Sequence, residues 1–95
     1  MTGRTLVLGE ALVDIVERHD GERREYVGGS PLNVALGLAR LGEPVDFATR
    51  FGDDERGRRI AATLAAGEVA LVAGSATADH TSTALAQLDA HAAAT

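Results

Sequence analysis

Several residue types are absent or scarce in this chain of 95 residues. It contains no cysteine, which excludes a disulfide framework and a zinc site built on thiolates. It contains no lysine, so all nine basic residues are arginine. Tyr26, Phe47 and Phe51 are its only aromatic residues. The core of one small domain must therefore be built mainly from leucine, valine, isoleucine and alanine.

The chain carries a net charge of −5, so its charge is acidic overall. Nucleic acids are bound by clustered basic side chains that neutralise phosphates, and we therefore expect no nucleic-acid partner. Arg56, Arg58 and Arg59 lie close together, but three acidic residues at 53–55 precede them. We expect these three arginines to form a solvated helix face.

No long apolar run is present. The segment "TLVLGEALVDIV" has no basic flank and is interrupted by Glu10 and Asp14, so it is neither a signal peptide nor a membrane span. We therefore expect no membrane partner and a cytoplasmic location.

Apolar periodicity and turn residues predict alternating strands and helices. The predicted elements are a strand over 5–8, a hairpin with strands over 11–17 and 24–27 around Asp20-Gly21, a helix over 30–41 closed by Gly42, a strand over 45–50, a helix from Asp53 or Asp54 to Ala66 ended by Gly67, a strand over 69–73, a loop over 74–82 and a strand over 83–88. This order favours an α/β fold with a parallel sheet and an appended hairpin. The last residues carry no stop signal, so we expect the alternation to be truncated.

The segment "GGSPLN" (28–33) is the first candidate site. Ser30 is a suitable helix N-cap and Pro31 suits the first helical turn. Gly28 and Gly29 have two explanations: they supply the backbone freedom for a turn, or they let a ligand approach the backbone near free helical N–H groups. Asn33, predicted at the third helical position, would reach the same ligand with one acceptor and two donors.

Asp14 is the second candidate, because it interrupts the apolar pattern of "ALVDIV". A buried carboxylate is costly unless it is hydrogen-bonded. Two explanations stay open: a charge that protects an edge strand from aggregation, or a carboxylate that accepts hydrogen bonds from vicinal sugar hydroxyls.

The other polar groups give weaker signals. The carboxylates of "GDDERG" (52–57) suit a helix N-terminus. His19, His80 and His91 lack metal-ligand spacing, and the sequence contains no G-x-G-x-x-G, Walker A or G-x-S-x-G pattern. We identify no catalytic residue and no metal ligand in this chain.

Four spaced segments carry a family resemblance. They are "LGEALVD" (8–14), "GGSPLNVA" (28–35), "ARLG" (39–42) and "FGDDERG" (51–57). Together they make residues 5–67 resemble the N-terminal part of the ribokinase-like (PfkB-type) carbohydrate kinases, with the greatest similarity to bacterial fructokinases.

The resemblance implies a doubly wound (Rossmann-like) parallel sheet with a small β-sheet lid. Residues 1–95 would form the N-terminal part of one sugar-kinase domain, with 10–27 as the lid hairpin and 82–90 as a strand returning to the lid. It also implies that Asp14, Gly28, Gly29 and Asn33 bind a sugar. Leu12 replaces a polar sugar contact of some ribokinases, so a hexose or keto-sugar is favoured over ribose.

The family's glycine-rich G-A-G-D segment with the catalytic aspartate does not occur in the sequence, nor does the acidic motif associated with magnesium. ATP and magnesium are therefore implied only for a full-length family member, and we expect the isolated chain to be inactive. A homodimer through the lid is a further implication.

Three alternatives remain open. The first is a 2-keto-3-deoxygluconate kinase, and the second is a non-catalytic lid or dimerisation module. The third is a nucleotide-binding domain of another lineage. It is disfavoured because Gly28-Gly29 follows a hairpin strand and no acidic ribose-binding residue is suitably placed.

Overall fold

The computed structural model describes residues 3–72, 74–76 and 78–88. Its elements, in chain order, are β1 (Thr5–Leu8), β2 (Leu12–Glu17), β3 (Arg23–Gly28), α1 (Ser30–Arg40), β4 (Val45–Ala48), α2 (Glu55–Ala66), β5 (Ala70–Leu71) and β6 (Thr83–Gln87). Every strand and helix predicted from the sequence is present. The strands predicted over 45–50 and 69–73 are shorter than expected, and residue 73 lies outside the described residues.

The strands form two three-stranded sheets. In the first, β1, β4 and β5 lie side by side in that order and all pair in parallel. In the second, which we call the hairpin sheet, β2 lies between β3 and β6. The pair β2–β3 is the predicted antiparallel hairpin, and β6 pairs with β2 in parallel. The predicted α/β class, with a parallel sheet and a small additional sheet, is confirmed.

One apolar core joins the two sheets. Its largest fully buried side chains are Val13, Leu32, Val45, Phe47, Ile60 and Leu64. They come from β2, α1, β4 and α2, so the hairpin sheet shares the core of the parallel sheet at its base. As the scarcity of aromatics predicts, only Phe47 and Phe51 contribute rings to it.

Helix α1 begins at Ser30, as predicted, but its N-cap lies one residue earlier than predicted. Gly29, with φ of 107°, is the N-cap, and no side chain caps the helix. The prediction that Ser30 is the cap is therefore wrong, because Gly29 already turns the chain and Ser30 is helical. Asn33 accordingly lies at the fourth helical position, where its backbone N–H donates to the Gly29 carbonyl at 3.0 Å. Gly42 closes the helix in a left-handed conformation, as predicted.

Helix α2 begins after Asp54, one of the two predicted caps, and ends at Ala66 before Gly67, as predicted. Gly67 is the C-cap with a negative φ of −87°, and the left-handed residue is Glu68, with φ of 62°. A Cβ at position 67 would collide with the Leu36 side chain. A side chain at 67 would therefore have to displace Leu36, and a residue with a side chain takes the strained position that follows.

Glu68→Gly is expected to raise the free energy of unfolding by about 0.5–1 kcal/mol, because glycine adopts a positive φ without steric cost. Chemical denaturation measures the difference. Glu43→Gly is the control, since Glu43 also follows a helix but has no positive φ. Equal or lower stability of Glu68→Gly relative to that control would contradict the strain at Glu68.

Candidate functional site

An open cavity lies between the hairpin sheet and the first turn of α1. It has a volume of about 490 Å³. The residues that line it are Glu10, Leu12, Asp14, Gly29, Ser30, Pro31 and Asn33. We call it the Asp14 cavity. It brings together three of the four predicted site residues, namely Asp14, Gly29 and Asn33.

Asp14 lies on the central strand of the hairpin sheet, because β2 pairs with β3 on one side and β6 on the other. The explanation of Asp14 as a charge protecting an edge strand is therefore wrong. Asp14 is half-buried, and among the described residues no group donates a hydrogen bond to its carboxylate. The carboxylate can therefore accept hydrogen bonds from a ligand in the cavity.

Gly28 and Gly29 both make close contacts within the chain. A Cβ at Gly28 would lie 2.6 Å from Oδ2 of Asp14, so Gly28 makes room for that carboxylate. Gly29 combines its positive φ with close packing, since a Cβ there would lie 2.9 Å from the Glu10 carbonyl oxygen. The glycine pair therefore has an intramolecular explanation, and only Gly29 lines the cavity.

A second cavity of about 690 Å³ adjoins the Asp14 cavity, and Glu10 lines both. Thr49 and Arg50 line it directly after β4, and His80 lines it from the loop before β6. The Thr49 hydroxyl oxygen is buried and has no hydrogen-bond partner among the described residues. We did not select these residues from the sequence, although residues that follow parallel strands commonly line ligand sites.

Asp54, at the start of α2, is an anchor for the segment before β6. Its carboxylate accepts hydrogen bonds from the Thr81 hydroxyl at 2.6 Å, the Thr81 backbone N–H at 2.9 Å and the Gly57 N–H at 2.7 Å. The Thr81 hydroxyl in turn accepts from the Gly52 N–H at 3.0 Å. These bonds, led by the Thr81 hydroxyl, lower the pKa of Asp54. The sequence predicted the helix start but not this link.

Glu25, on β3, binds two arginines of α2. Arg56 donates to both carboxylate oxygens, at 3.0 and 2.8 Å, and Arg59 donates to Oε1 at 2.9 Å. The hydrogen bonds from Arg56 lead the effects that lower the pKa of Glu25 to about 2. The prediction of a solvated arginine face is therefore wrong for Arg56 and Arg59. Arg58, which pairs locally with Asp53 and Glu55 at 3.6 Å, does lie on such a face.

The described residues contain no cluster of side chains suited to a metal ion such as magnesium. Across 3–72, 74–76 and 78–88, no three His, Asp or Glu side chains are grouped closely enough to hold a metal ion. In that same part of the chain no helix is long and apolar enough to cross a membrane. The expectation that ATP and magnesium are bound by other residues stays a prediction.

Solved structures of carbohydrate kinases have a fold similar to that of this chain. A carbohydrate kinase from Agrobacterium tumefaciens matches 96% of this chain with a TM-score of 0.85 at 25% identity, and the chain covers 33% of it. The fructokinase of Halothermothrix orenii matches 88% of the chain with a TM-score of 0.79 at 26% identity, again with 33% of that structure covered. These structures support the ribokinase-like fold.

The chain belongs to the pfkB family of carbohydrate kinases, whose sequence profile matches residues 3–95. A fructokinase from Klebsiella pneumoniae is 45% identical over 69 residues, which is 73% of this chain and 22% of that protein. A 5-dehydro-2-deoxygluconokinase from Geobacillus kaustophilus is 56% identical over 36 residues, which is 38% of this chain and 11% of that protein. The chain thus spans about a fifth of the length of the fructokinase it matches.

Thr81→Val is expected to lower the free energy of unfolding by about 1–3 kcal/mol, because a buried hydroxyl that bridges Gly52 and Asp54 is lost. Chemical denaturation measures the loss. Thr63→Val is the matched control, since the Thr63 hydroxyl only donates to the Arg59 carbonyl within α2. If both variants lose the same stability, the bridge does not anchor this segment.

Proposed function

We propose that this chain is the sugar-binding portion of an ATP-dependent carbohydrate kinase of the fructokinase type. The observation that carries the proposal is that Asp14 and Asn33, from different elements, line one cavity. The family membership and the fructokinase relatives support a sugar as the ligand.

Each residue of the cavity has a distinct role in this proposal. The Asp14 carboxylate accepts hydrogen bonds from two neighbouring sugar hydroxyls. The Asn33 amide donates to or accepts from a third hydroxyl. Gly29 lets the sugar lie against the backbone, and Gly28 gives the Asp14 carboxylate its space. Leu12 adds an apolar contact in place of a polar one, which favours a hexose or keto-sugar.

ATP supplies the phosphoryl group when it is bound by the complete kinase. The residues of this chain bind and orient the sugar, and the hairpin sheet covers it and limits access of water. The domain assignment follows the same proposal: residues 10–27 form the lid hairpin, and residues 82–90 return to the lid. Residues 89 and 90 lie outside the described residues.

We expect the isolated 95-residue chain to phosphorylate no sugar, because the family's catalytic aspartate segment does not occur in its sequence. An assay that couples ADP formation to NADH oxidation, with fructose, ribose and 2-keto-3-deoxygluconate as substrates, measures this. ATP-dependent turnover of any of these sugars above the sugar-free rate would contradict the assignment of this chain to sugar binding alone.

Asp14→Asn, in a full-length kinase that carries these residues, is expected to raise the sugar KM about 10- to 100-fold, because hydrogen bonds to a charged acceptor are lost. Asn33→Ala is expected to raise it up to about 10-fold, since neutral bonds are lost. The KM for ATP should change little in both variants. Steady-state kinetics with each substrate varied in turn measures these constants.

Asp20→Asn is the control for Asp14→Asn, because Asp20 lies in the exposed hairpin turn and accepts only from the Glu22 N–H. It should leave both KM values unchanged. If either Asp14→Asn or Asn33→Ala also leaves the sugar KM unchanged, the assignment of that residue to the sugar is wrong.

Two alternatives make different predictions. A 2-keto-3-deoxygluconate kinase would prefer a sugar acid over fructose as its substrate. A non-catalytic lid or dimerisation module would associate with itself, which sedimentation at several concentrations detects. The lid-mediated homodimer, the cytoplasmic location and the lack of nucleic-acid or membrane partners stay predictions.

A further inference from the structure

The two faces of β2 have different partners. Asp14 points to the face that lines the cavity, and because side chains alternate along a strand, Val13 and Ile15 point to the opposite face. Both are buried, with exposures of 0% and 6%. Glu25 pairs directly with Ile15 across the β2–β3 ladder, so it also lies on the face away from Asp14.

The core cluster shared with the helices includes the hairpin only near its base. Val13 belongs to the core cluster shared with α1, β4 and α2, whereas Ile15, one pair further out, does not. At the level of Ile15, Glu25 makes an ionic contact with α2. The outer hairpin therefore has an ionic link to α2 beyond the apolar core that they share.

The geometry of this contact fixes the strand as well as the side chain. The Arg56 guanidinium holds both oxygens of Glu25, which defines the orientation of the carboxylate. Arg59 donates to the carboxylate and also, at 3.2 Å, to the backbone carbonyl of Glu25. The three side chains are about one-third exposed, so water screens the pairs only in part.

We propose that Glu25, Arg56 and Arg59 form an ionic clamp that holds the hairpin against α2 and thereby positions Asp14 over the cavity. Glu25 is a positioning residue, because its side chain points away from the cavity and acts through β2. The role of the clamp in sugar binding rests on the proposed function, whereas the clamp itself can be measured without any sugar.

The first test is the amide exchange of residues 13–16 and 24–27 in this chain. Glu25→Gln is expected to speed their exchange about threefold to tenfold relative to the unchanged chain. Glu22→Gln is the matched control, since Glu22 pairs only with Arg24 of the same hairpin. Exchange in Glu25→Gln that equals exchange in the control would overturn the clamp.

A double-substitution cycle separates the clamp from a general loss of charge. Arg56→Gln should speed exchange in the same segments, and adding Glu25→Gln should then have little further effect, because the contact is already broken. Arg58→Gln, on the same helix but paired only with Asp53 and Glu55, should have no effect in the hairpin. Fully additive effects of Glu25→Gln and Arg56→Gln would overturn the proposal.

The pH dependence of the free energy of unfolding gives an independent check on the unchanged chain. The folded pKa of Glu25 lies below its unfolded value, so the clamp is fully formed above about pH 5 and is lost as the pH falls toward 2. Asp54, Glu55 and His80 also lie around the cluster, so the comparison is made with Glu25→Gln, in which this part of the pH dependence should vanish. An unaltered profile would contradict the clamp.

The positioning claim is tested by kinetics in a full-length kinase that carries these residues. Glu25→Gln is expected to raise the sugar KM about threefold to tenfold and to change kcat little, because the hairpin holds Asp14 less firmly. Glu25→Asp, which keeps the charge, should restore part of the affinity. Faster hairpin exchange with an unchanged sugar KM would overturn the positioning role. If Asp14→Asn also leaves the KM unchanged, the sugar-binding function fails, and the exchange experiments alone judge the clamp.

Discussion

The arrangement of the two sheets depends on the first turns of helix α2. Asp54 caps the helix and accepts hydrogen bonds from the hydroxyl and backbone of Thr81, which fixes the segment that leads into β6. Less than one turn further along, Arg56 binds Glu25 on β3. The start of the helix thus contacts β3 and the segment that leads into β6, while its buried residues Ile60 and Leu64 belong to the core. One helix end therefore relates the hairpin sheet to the parallel sheet.

This arrangement explains why the cavity lies where it does. The hairpin sheet presents Asp14 on one face and is held by α2 on the other, so the carboxylate stays opposite the first turn of α1. That turn begins directly after β3, because Gly29 reverses the chain at the end of the strand. The Asp14 cavity is therefore built from segments that are close in sequence, between Glu10 and Asn33. Their proximity is why a short chain can contain this cavity.

Much of the fold could be predicted from the sequence because local signals decide it. Asp20-Gly21 specified the hairpin turn and Gly42 the end of α1. Asp14 and Asn33 were identified as polar residues within apolar patterns, and both line the cavity. The role of Gly28 could not be predicted, because it depends on where the Asp14 carboxylate points.

Contacts between distant residues were not predicted. Glu25 and Arg56 are 31 residues apart, and local acidic neighbours offered the arginines an equally plausible set of partners. The bridge between Asp54 and Thr81 spans 27 residues and depends on how the loop before β6 folds back. The left-handed Glu68 was missed because Gly67 is the expected helix terminator, and its contact with Leu36 is a tertiary one.

The central claim is that Asp14 and Asn33 bind the same sugar. The most direct measurement is a crystal structure, with sugar bound, of a full-length kinase that carries these residues. The account predicts sugar hydroxyls within hydrogen-bond distance of the Asp14 carboxylate and the Asn33 amide, in the cavity beside Gly29. A sugar bound elsewhere, with Asp14 and Asn33 making no contact to it, would contradict the account.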